Sequence, residues 1–343
     1  MPSEAGGVVV SDLTERELIS RIQARLPPPP NWISVGIGDD AAVVEPERNR
    51  VEVLSVDALI EGIHFDRRFT PPEAIGHRAL AVNLSDLAAM GAAPRLALLS
   101  FALPPELSCL DFDAIVSGIA ELAARCKIHV AGGNLTRSPG PLMLNVTVIG
   151  TVKRRQALTR RGAQPGDEVY VTGTIGAAAA GLQMLKAQLP SPSLLPPASC
   201  RLRYLYPDPR VRVGLLLGRN RAASACIDLS DGLADGVHQI AAASGVGIVV
   251  EADAVPIDAD ARAWFELHGG DGVAQAIGGG DDYELLFTVH PRQRARLKAA
   301  SRHARLSLTR IGVCTAGGPA VLRRASGGLT VDDPMPRGYT HFR

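Results

Sequence analysis

Apolar residues recur along this chain with two spacings, and each spacing predicts its own kind of element. Leu18, Ile19 and Ile22 follow Thr14 and Glu17 at helical intervals. A Thr-x-x-Glu step at that place is a capping box, so a helix starts at Thr14, and Pro27–Pro30 stops it. Ser34–Ile37 and Val51–Val56 are rich in β-branched residues and predict strands. Pro71-Pro72 opens a long helix that reaches Ala89, with Gly91 as its C-terminal stop. Leu96–Ala102 predicts a buried strand, Leu110–Arg125 a helix, and Leu142–Gly150 another strand. Farther on, strands at Glu168–Thr172, Ala225–Leu229, Gly247–Glu251, Tyr283–Thr288 and Leu308–Val313 alternate with helices. The helices follow Gly176 and cover Gly232–Ala243, Asp258–Leu267 and Pro291–His303. That alternation predicts an α/β second half. The charged stretch Thr151–Gly166 reads as a connection, which divides the chain into domains 1–150 and 151–343. Pro190–Pro197 reads as a loop, and no fixed repeat period runs through the sequence.

Length supports the division, since 343 residues suggest two domains. Hydrophobic residues at 46% and charged residues at 21% exclude a disordered chain. Lys and Arg number 36 against 35 Asp and Glu, with no long basic run, so neither a nucleic-acid nor an anionic-membrane surface is implied. The five cysteines form no Cys-x-x-Cys pair. They argue against a disulfide framework or structural zinc and for a reducing cytoplasm. No apolar run approaches the ~18 residues of a spanning helix. Met1–Val10 contains Glu4 and lacks a basic start, so it reads as a short disordered tail rather than a signal peptide.

The candidate chemistry lies in the aspartates. Asp39-Asp40 follow Gly36-Ile37-Gly38, Asp57 is expected to end a strand, and Asp86 stands inside the apolar helix 79–90. Asp228 and Asp231 bracket Leu229-Ser230 at a strand end, and Asp281-Asp282 follow three glycines. Each has an ordinary explanation. Asp39-Asp40 suit a turn, Ser230-Asp231 a helix N-cap, and Asp86 an exposed helix position. The recurrence is not explained that way: five acidic clusters sit beside Gly, at a strand end or in an apolar helix, as metal–phosphate chemistry requires. A core-facing Asp86 wants a partner, and bound Mg²⁺ supplies one through carboxylate and carbonyl oxygens. The familiar phosphate and nucleophile motifs are missing. No Gly-Lys step makes a P-loop, the protein-kinase signatures are absent, Gly36-Ile37-Gly38 lacks the third glycine of a dinucleotide fingerprint, and no Gly-x-Ser-x-Gly occurs.

Seven stretches carry a resemblance. They are Gly36–Asp40, Ser55–Asp57, Asn83–Gly91, Ala157–Arg160, Asp228–Leu233, Gly279–Leu285 and Gly338–Phe342. In that order they resemble the thiamine-monophosphate kinase family, of the superfamily that includes aminoimidazole-ribonucleotide synthetase and selenophosphate synthetase. The resemblance runs from about Gly36 to the C-terminus, and Asn83–Gly91 and the Gly-Gly-x-Asp-Tyr-Glu-Leu string are its most specific parts. It implies an α/β (α+β) protein of two domains, the first with a mixed sheet that forms a dimer with its twin. It implies ATP-dependent phosphorylation of thiamine monophosphate to thiamine diphosphate, with ATP as co-substrate and several Mg²⁺ ions. By the same resemblance Asp40, Ser55, Asp57, Asp86, Asn134, Asp228 and Asp231 hold magnesium, Val56 adding only its carbonyl. Gly133, Asn134, Arg160 and Ser230 contact ATP, and His64, Asp281 and Tyr339 contact the thiamine side. Without the resemblance His64 is an ordinary loop histidine, Tyr339 a tail anchor and Arg160 one more surface charge.

Two positions depart from the family pattern. Asn134 stands where Asp is common, and Asp281 where Glu is frequent. Both keep oxygen ligation or hydrogen bonding, so a retuned but functional site is expected. The acceptor is a phosphate monoester with a second pKa of about 6, already mostly deprotonated at about pH 7, so the chemistry needs no general base. The alternatives are another ATP-dependent synthetase of the superfamily or a non-catalytic nucleotide or metal sensor. Against the first, no Cys precedes Cys109 and the chain ends His341-Phe342-Arg343 rather than in Cys.

Overall fold

The computed structural model describes residues 7–187, 198–326 and 329–339. The described chain falls into two compact units. One comprises residues to Leu84 with Pro94–Thr151, and the other comprises Ser85–Ala93 with the residues from Val152 onward. Ser85–Ala93, early in the sequence, therefore groups with the second unit.

In the first unit, α1 (Glu15–Gln23) begins at the predicted capping box. The Glu17 N–H donates to Thr14 Oγ1 at 3.3 Å and the Thr14 N–H to Glu17 Oε2 at 2.7 Å. β1 (Ile33–Val35) and β2 (Val43–Val44) pair as a small antiparallel ribbon. Then follow β3 (Arg50–Ile60), α2 (Pro72–Ala89), β4 (Ala93–Leu103), α3 (Cys109–Cys126), β5 (His129–Arg137) and β6 (Met143–Lys153). The four long strands form one sheet in the order β3-β6-β4-β5, with β4 and β5 parallel. Leu144, Val146 and Val148 of β6 are fully buried while their neighbours are not, the period-two mark of a sheet with one covered face. α2 and α3 approach so closely that only glycine fits between them. A Cβ on Gly76 would stand 1.9 Å from the Ile115 carbonyl oxygen, and one on Gly118 2.0 Å from that of Glu73.

Three expectations are corrected here. Asp57 does not end its strand: β3 continues through Ala58, Leu59 and Ile60 because Leu59 is buried. β5 is absent from the predicted strands, because Gly132 and Gly133 carry little strand propensity, yet its backbone pairs in parallel with β4 from Leu96↔His129 to Leu103↔Arg137. Val8–Val10 are not a loose tail, because Val10 N–H donates to the Leu107 carbonyl and Cys109 N–H to that of Val8; residues 1–6 lie outside the described set.

The second unit holds β7 (Glu168–Thr172), α4 (Ala177–Ala187), α5 (Ala198–Leu205), α6 (Val211–Asn220), β8 (Ala225–Asp228), α7 (Leu233–Ser244) and β9 (Gly247–Glu251). It continues with α8 (Ala259–Leu267), α9 (Gly272–Gly278), β10 (Leu285–Val289), α10 (Arg294–Ala304), β11 (Leu308–Thr315), β12 (Val321–Ser326) and β13 (Leu329–Pro334). Its seven-stranded sheet runs β13-β12-β9-β11-β7-β10-β8, and all pairs are antiparallel except β12 with β9. Strands and helices alternate as expected, but the pairing is mixed. One core cluster gathers Val169, Val171, Ile227, Leu229, Val237, Ile248 and Phe265. A second joins Leu217, Cys226 and Phe287 to Ala88 and Ala89 at the end of α2. β10 begins at Leu285 rather than Tyr283, since Tyr283 has φ +50° and cannot continue an extended strand. The Pro190–Pro197 loop lies outside the described residues.

Candidate functional site

The sharpest cluster in the second unit forms where α2 ends and β8 ends. Ser85 Oγ donates to Asp228 Oδ2 at 2.8 Å, and both residues are buried. Burial first, and then the charge of Asp86, push the Asp228 carboxyl up to about 7, against the Ser85 hydrogen bond and the positive charge of Arg160. A buried acid beside a second acid is an electrostatic demand for a cation, and hard carboxylate oxygens suit Mg²⁺. Among the described residues no three His, Cys, Asp or Glu side chains form a ready-made metal cage. An ion here would complete its shell with phosphate or water oxygens, as Mg²⁺ commonly does. Arg160, exposed, is no loose surface charge: its guanidinium donates to Gln239 Oε1, and Gln239 in turn donates to Asp235 one turn back on α7.

One residue past β8, two loops lock together. The Asp281 N–H donates to the Ser230 carbonyl at 2.7 Å, Tyr283 N–H to that of Leu229 at 3.1 Å, and Leu229 N–H to that of Glu284 at 2.8 Å. The Tyr339 N–H donates to the Asp231 carbonyl at 3.1 Å, while the Tyr339 side chain stays exposed. Ser230, Asp231, Asp281 and Tyr339 thus stand together. Asp231 is not the N-cap of α7; Gly232 holds that position with φ +95°, and a Cβ there would lie 2.6 Å from the Gly279 carbonyl oxygen. Asp281 has φ +68°, a left-handed conformation that Asp tolerates better than most side chains. Tyr283 Oη donates to Asp281 Oδ1 at 3.2 Å. Thr340, His341 and Phe342 of the same sequence stretch lie outside the described residues.

The first unit holds its candidates on separate elements. Asp40 is exposed in the loop after Gly36-Ile37-Gly38, its N–H turned onto Asp39 Oδ1 at 2.8 Å. Ser55, Val56 and Asp57 lie on β3, and Asn134 lies exposed on β5, the opposite edge of the sheet. Asp57 is placed by Asn83, a fully buried residue of α2 whose Oδ1 accepts the Asp57 N–H at 3.0 Å and whose Nδ2 donates to the Ala79 carbonyl. A Cβ on Gly133 would stand 1.8 Å from the Leu99 carbonyl oxygen, so glycine there permits the β4–β5 approach that presents Asn134. His64 Nδ1 accepts the Ile60 N–H at 3.1 Å, which leaves Nε2 as the protonated nitrogen of the neutral ring.

Sequence reasoning counted Asp282 only among the acidic clusters and gave no role to Asn83, Ser85, Gln239 or Glu284. For the last there was a signal, a Glu leading directly into Leu285–Val289, which is apolar but for Thr288. A polar surface cavity of about 430 Å³, walled by Asp167, Ser224, His290 and Arg296 among others, includes none of the candidate residues.

This pair of units defines a class. Residues 38–152 match the AIR synthase related protein, N-terminal domain, and residues 164–324 match the corresponding C-terminal domain. A thiamine-monophosphate kinase of Bacillus subtilis is 36% identical over 318 residues, covering 91% of this chain and 94% of the relative. The crystal structure of thiamine-monophosphate kinase from Stenotrophomonas maltophilia superposes with a TM-score of 0.80 at 42% identity, covering 90% and 96% of the two chains. AaThiL complexed with AMPPCP and TMP gives a TM-score of 0.74 at 31% identity, covering 97% and 98%. The chain belongs to the thiamine-monophosphate kinase family.

Proposed function

We propose that this protein transfers the γ-phosphoryl group of ATP directly to the phosphate of thiamine monophosphate, giving thiamine diphosphate and ADP. The observation that carries the reading is the interlock of the second unit, where the acidic Asp228–Asp231 loop and the Asp281–Tyr283 loop are tied by backbone hydrogen bonds beside the buried Asp228 and its neighbour Asp86. An acidic, cation-seeking loop fixed against an acceptor-binding loop is what joining two anions needs.

Two like charges ~4 Å apart cost about 4 kcal/mol at an effective dielectric of ~20. Bound Mg²⁺ supplies the charge neutralisation that lowers this barrier. The ligands we assign are Asp40, Ser55, the Val56 carbonyl, Asp57 and Asn134 in the first unit, and Asp86, Asp228 and Asp231 in the second. Arg160, oriented by Gln239, and Ser230 hold ATP phosphates, and Gly133 and Asn134 contribute backbone and amide groups. His64 offers its Nε2–H to the acceptor, and Asp281 and Tyr339 hold the thiamine side. No side chain takes a proton from the attacking oxygen, because the acceptor phosphate is already ionised.

The first 150 residues serve as the ATP- and metal-binding and dimerising domain, and residues 151–343 as its α/β companion. Leu54 and Val56 are exposed on the edge strand β3, and a second copy of the chain would cover them. No helix of the described residues is long and apolar enough to cross a membrane, and the five cysteines are free, which suits a cytoplasmic enzyme.

One incubation tests the reading: ATP, Mg²⁺ and, separately, thiamine monophosphate, thiamine, formylglycinamidine ribonucleotide and selenide. ADP and thiamine diphosphate are expected with thiamine monophosphate alone. Binding of ATP with no ADP from any acceptor would leave a sensor instead. Initial-rate patterns should be sequential; a phosphorylated enzyme isolated without acceptor would exclude direct transfer.

A further inference from the structure

We propose that Arg203 and Arg210 are positioning residues for the acceptor loop, acting through the buried carboxylate of Glu284. The proposal rests on the reading of Asp281 as an acceptor contact.

The loop needs holding. Asp281 and Tyr283 are both non-glycine residues in the left-handed region, at φ +68° and +50°. Such a backbone persists only where its surroundings over-determine it. Asp281 and Tyr283 bond each other, and Asp282 and Glu284 are buried. Asp282 accepts the N–H groups of Gly176 and Ala178 at the first turn of α4, at 2.7 and 3.2 Å.

Glu284 is fully buried, and an isolated carboxylate there would be strongly unfavourable. It accepts from Thr172 Oγ1 at 2.5 Å, Arg203 Nη2 at 2.6 Å and Arg210 Nε at 2.7 Å, with Arg210 Nη2 as a further donor. Room for the carboxylate comes from Gly173, where a Cβ would lie 2.3 Å from Glu284 Oε1. Arg203 does one thing more: Nη2 also reaches the Asp282 carbonyl at 3.3 Å. One guanidinium thus bridges the loop backbone and the Glu284 side chain. Arg210 is steadied by Asp208, whose Oδ2 accepts from Nη1 at 2.7 Å. Both arginines come from the α5–α6 segment, outside the sheet that carries the loop. Glu284 thereby transfers the position of that segment to the backbone of residues 281–283.

The test is Arg203→Met in the full-length protein, chosen because Glu284 keeps Arg210. Amide hydrogen exchange at residues 281–283 should speed up about tenfold or more, while exchange in β9 and β11 stays unchanged. The KM for thiamine monophosphate should rise about tenfold, with the KM for ATP within twofold. Arg203→Lys, with one donor head in place of a fork, should recover only part of the loss. If Arg203→Met does not fold, Glu284→Gln should show the same local exchange and the same KM split. Unchanged loop exchange, or an equal rise in both KM values with uniformly faster exchange, overturns the proposal. A wild-type protein that fails to phosphorylate thiamine monophosphate overturns the functional reading instead, and the exchange result still decides the positioning role.

Discussion

At Asp228 a carboxylate is taken out of water and set beside the charge of Asp86, and both effects favour its protonated form. That arrangement is costly without a cation and useful with one. Asp86→Asn should leave the fold intact, since it removes a repulsive charge, yet lower turnover by roughly 100-fold or more, as loss of a charge-stabilising group does. Circular dichroism and initial rates at saturating ATP check the two halves of this statement; near-normal turnover would remove α2 from the metal site. Asn134 makes a finer case. As a proposed ligand its amide oxygen would hold Mg²⁺ without a charge, so more of the affinity would come from ATP's phosphates. Asn134→Asp should lower the magnesium concentration for half-maximal rate and leave the KM for thiamine monophosphate nearly unchanged. Superimposable magnesium titrations would leave Asn134 as an ordinary strand residue.

Elements differ in how openly their sequences declare them. The capping box of α1 and the Pro72 start of α2 are local signals, and both hold in the structure. β5 hides, because its pairing with β4 overrides the loop preference of Gly132-Gly133-Asn134. α5 and α6 hide behind Pro207, Pro209 and a run of arginines. The candidate site follows the same rule. Asp231 and Asp281 were readable as acidic clusters beside a strand end or glycines, whereas Asn83, Glu284 and the arginines act through tertiary contacts that no local spacing encodes. Asp282 ties the loop to α4 and gives that element a pH signature. Burial pushes its carboxyl up to about 7 from the ordinary 3.8. Between those values the folded protein holds a proton that the unfolded chain has released. Its contribution to stability therefore falls as pH rises through that window and levels off above about 7. Measured as urea midpoints relative to Asp282→Asn, the wild type should lose ground between about pH 4 and about pH 7. A constant difference would mean that the two amide donors of α4 keep Asp282 ionised throughout.

For the whole molecule, the sheet of the first unit ends in an edge strand with Leu54 and Val56 exposed, an arrangement that isolated domains avoid because unpaired edges recruit other chains. The expected state is a homodimer in sedimentation experiments. Leu54→Glu combined with Val56→Glu should weaken self-association by about 100-fold or more without changing the circular dichroism spectrum. A wild-type protein that sediments as a monomer at micromolar concentration would refute the dimer.

The left-handed backbone at Asp281 also acts as a filter on mutation. Any side chain placed there must first satisfy a torsion angle before it can meet a substrate. Asn and Gly pass that filter at small cost, whereas Val and Ile carry the full penalty of a branched Cβ at positive φ. A saturation library at this codon would therefore be sorted twice, once by the backbone and once by the chemistry. Variants lost in the first sorting would say nothing about the second. Lineages exploring new acceptors through this position would have to drift within the short list of residues the loop accepts, or rebuild the loop first.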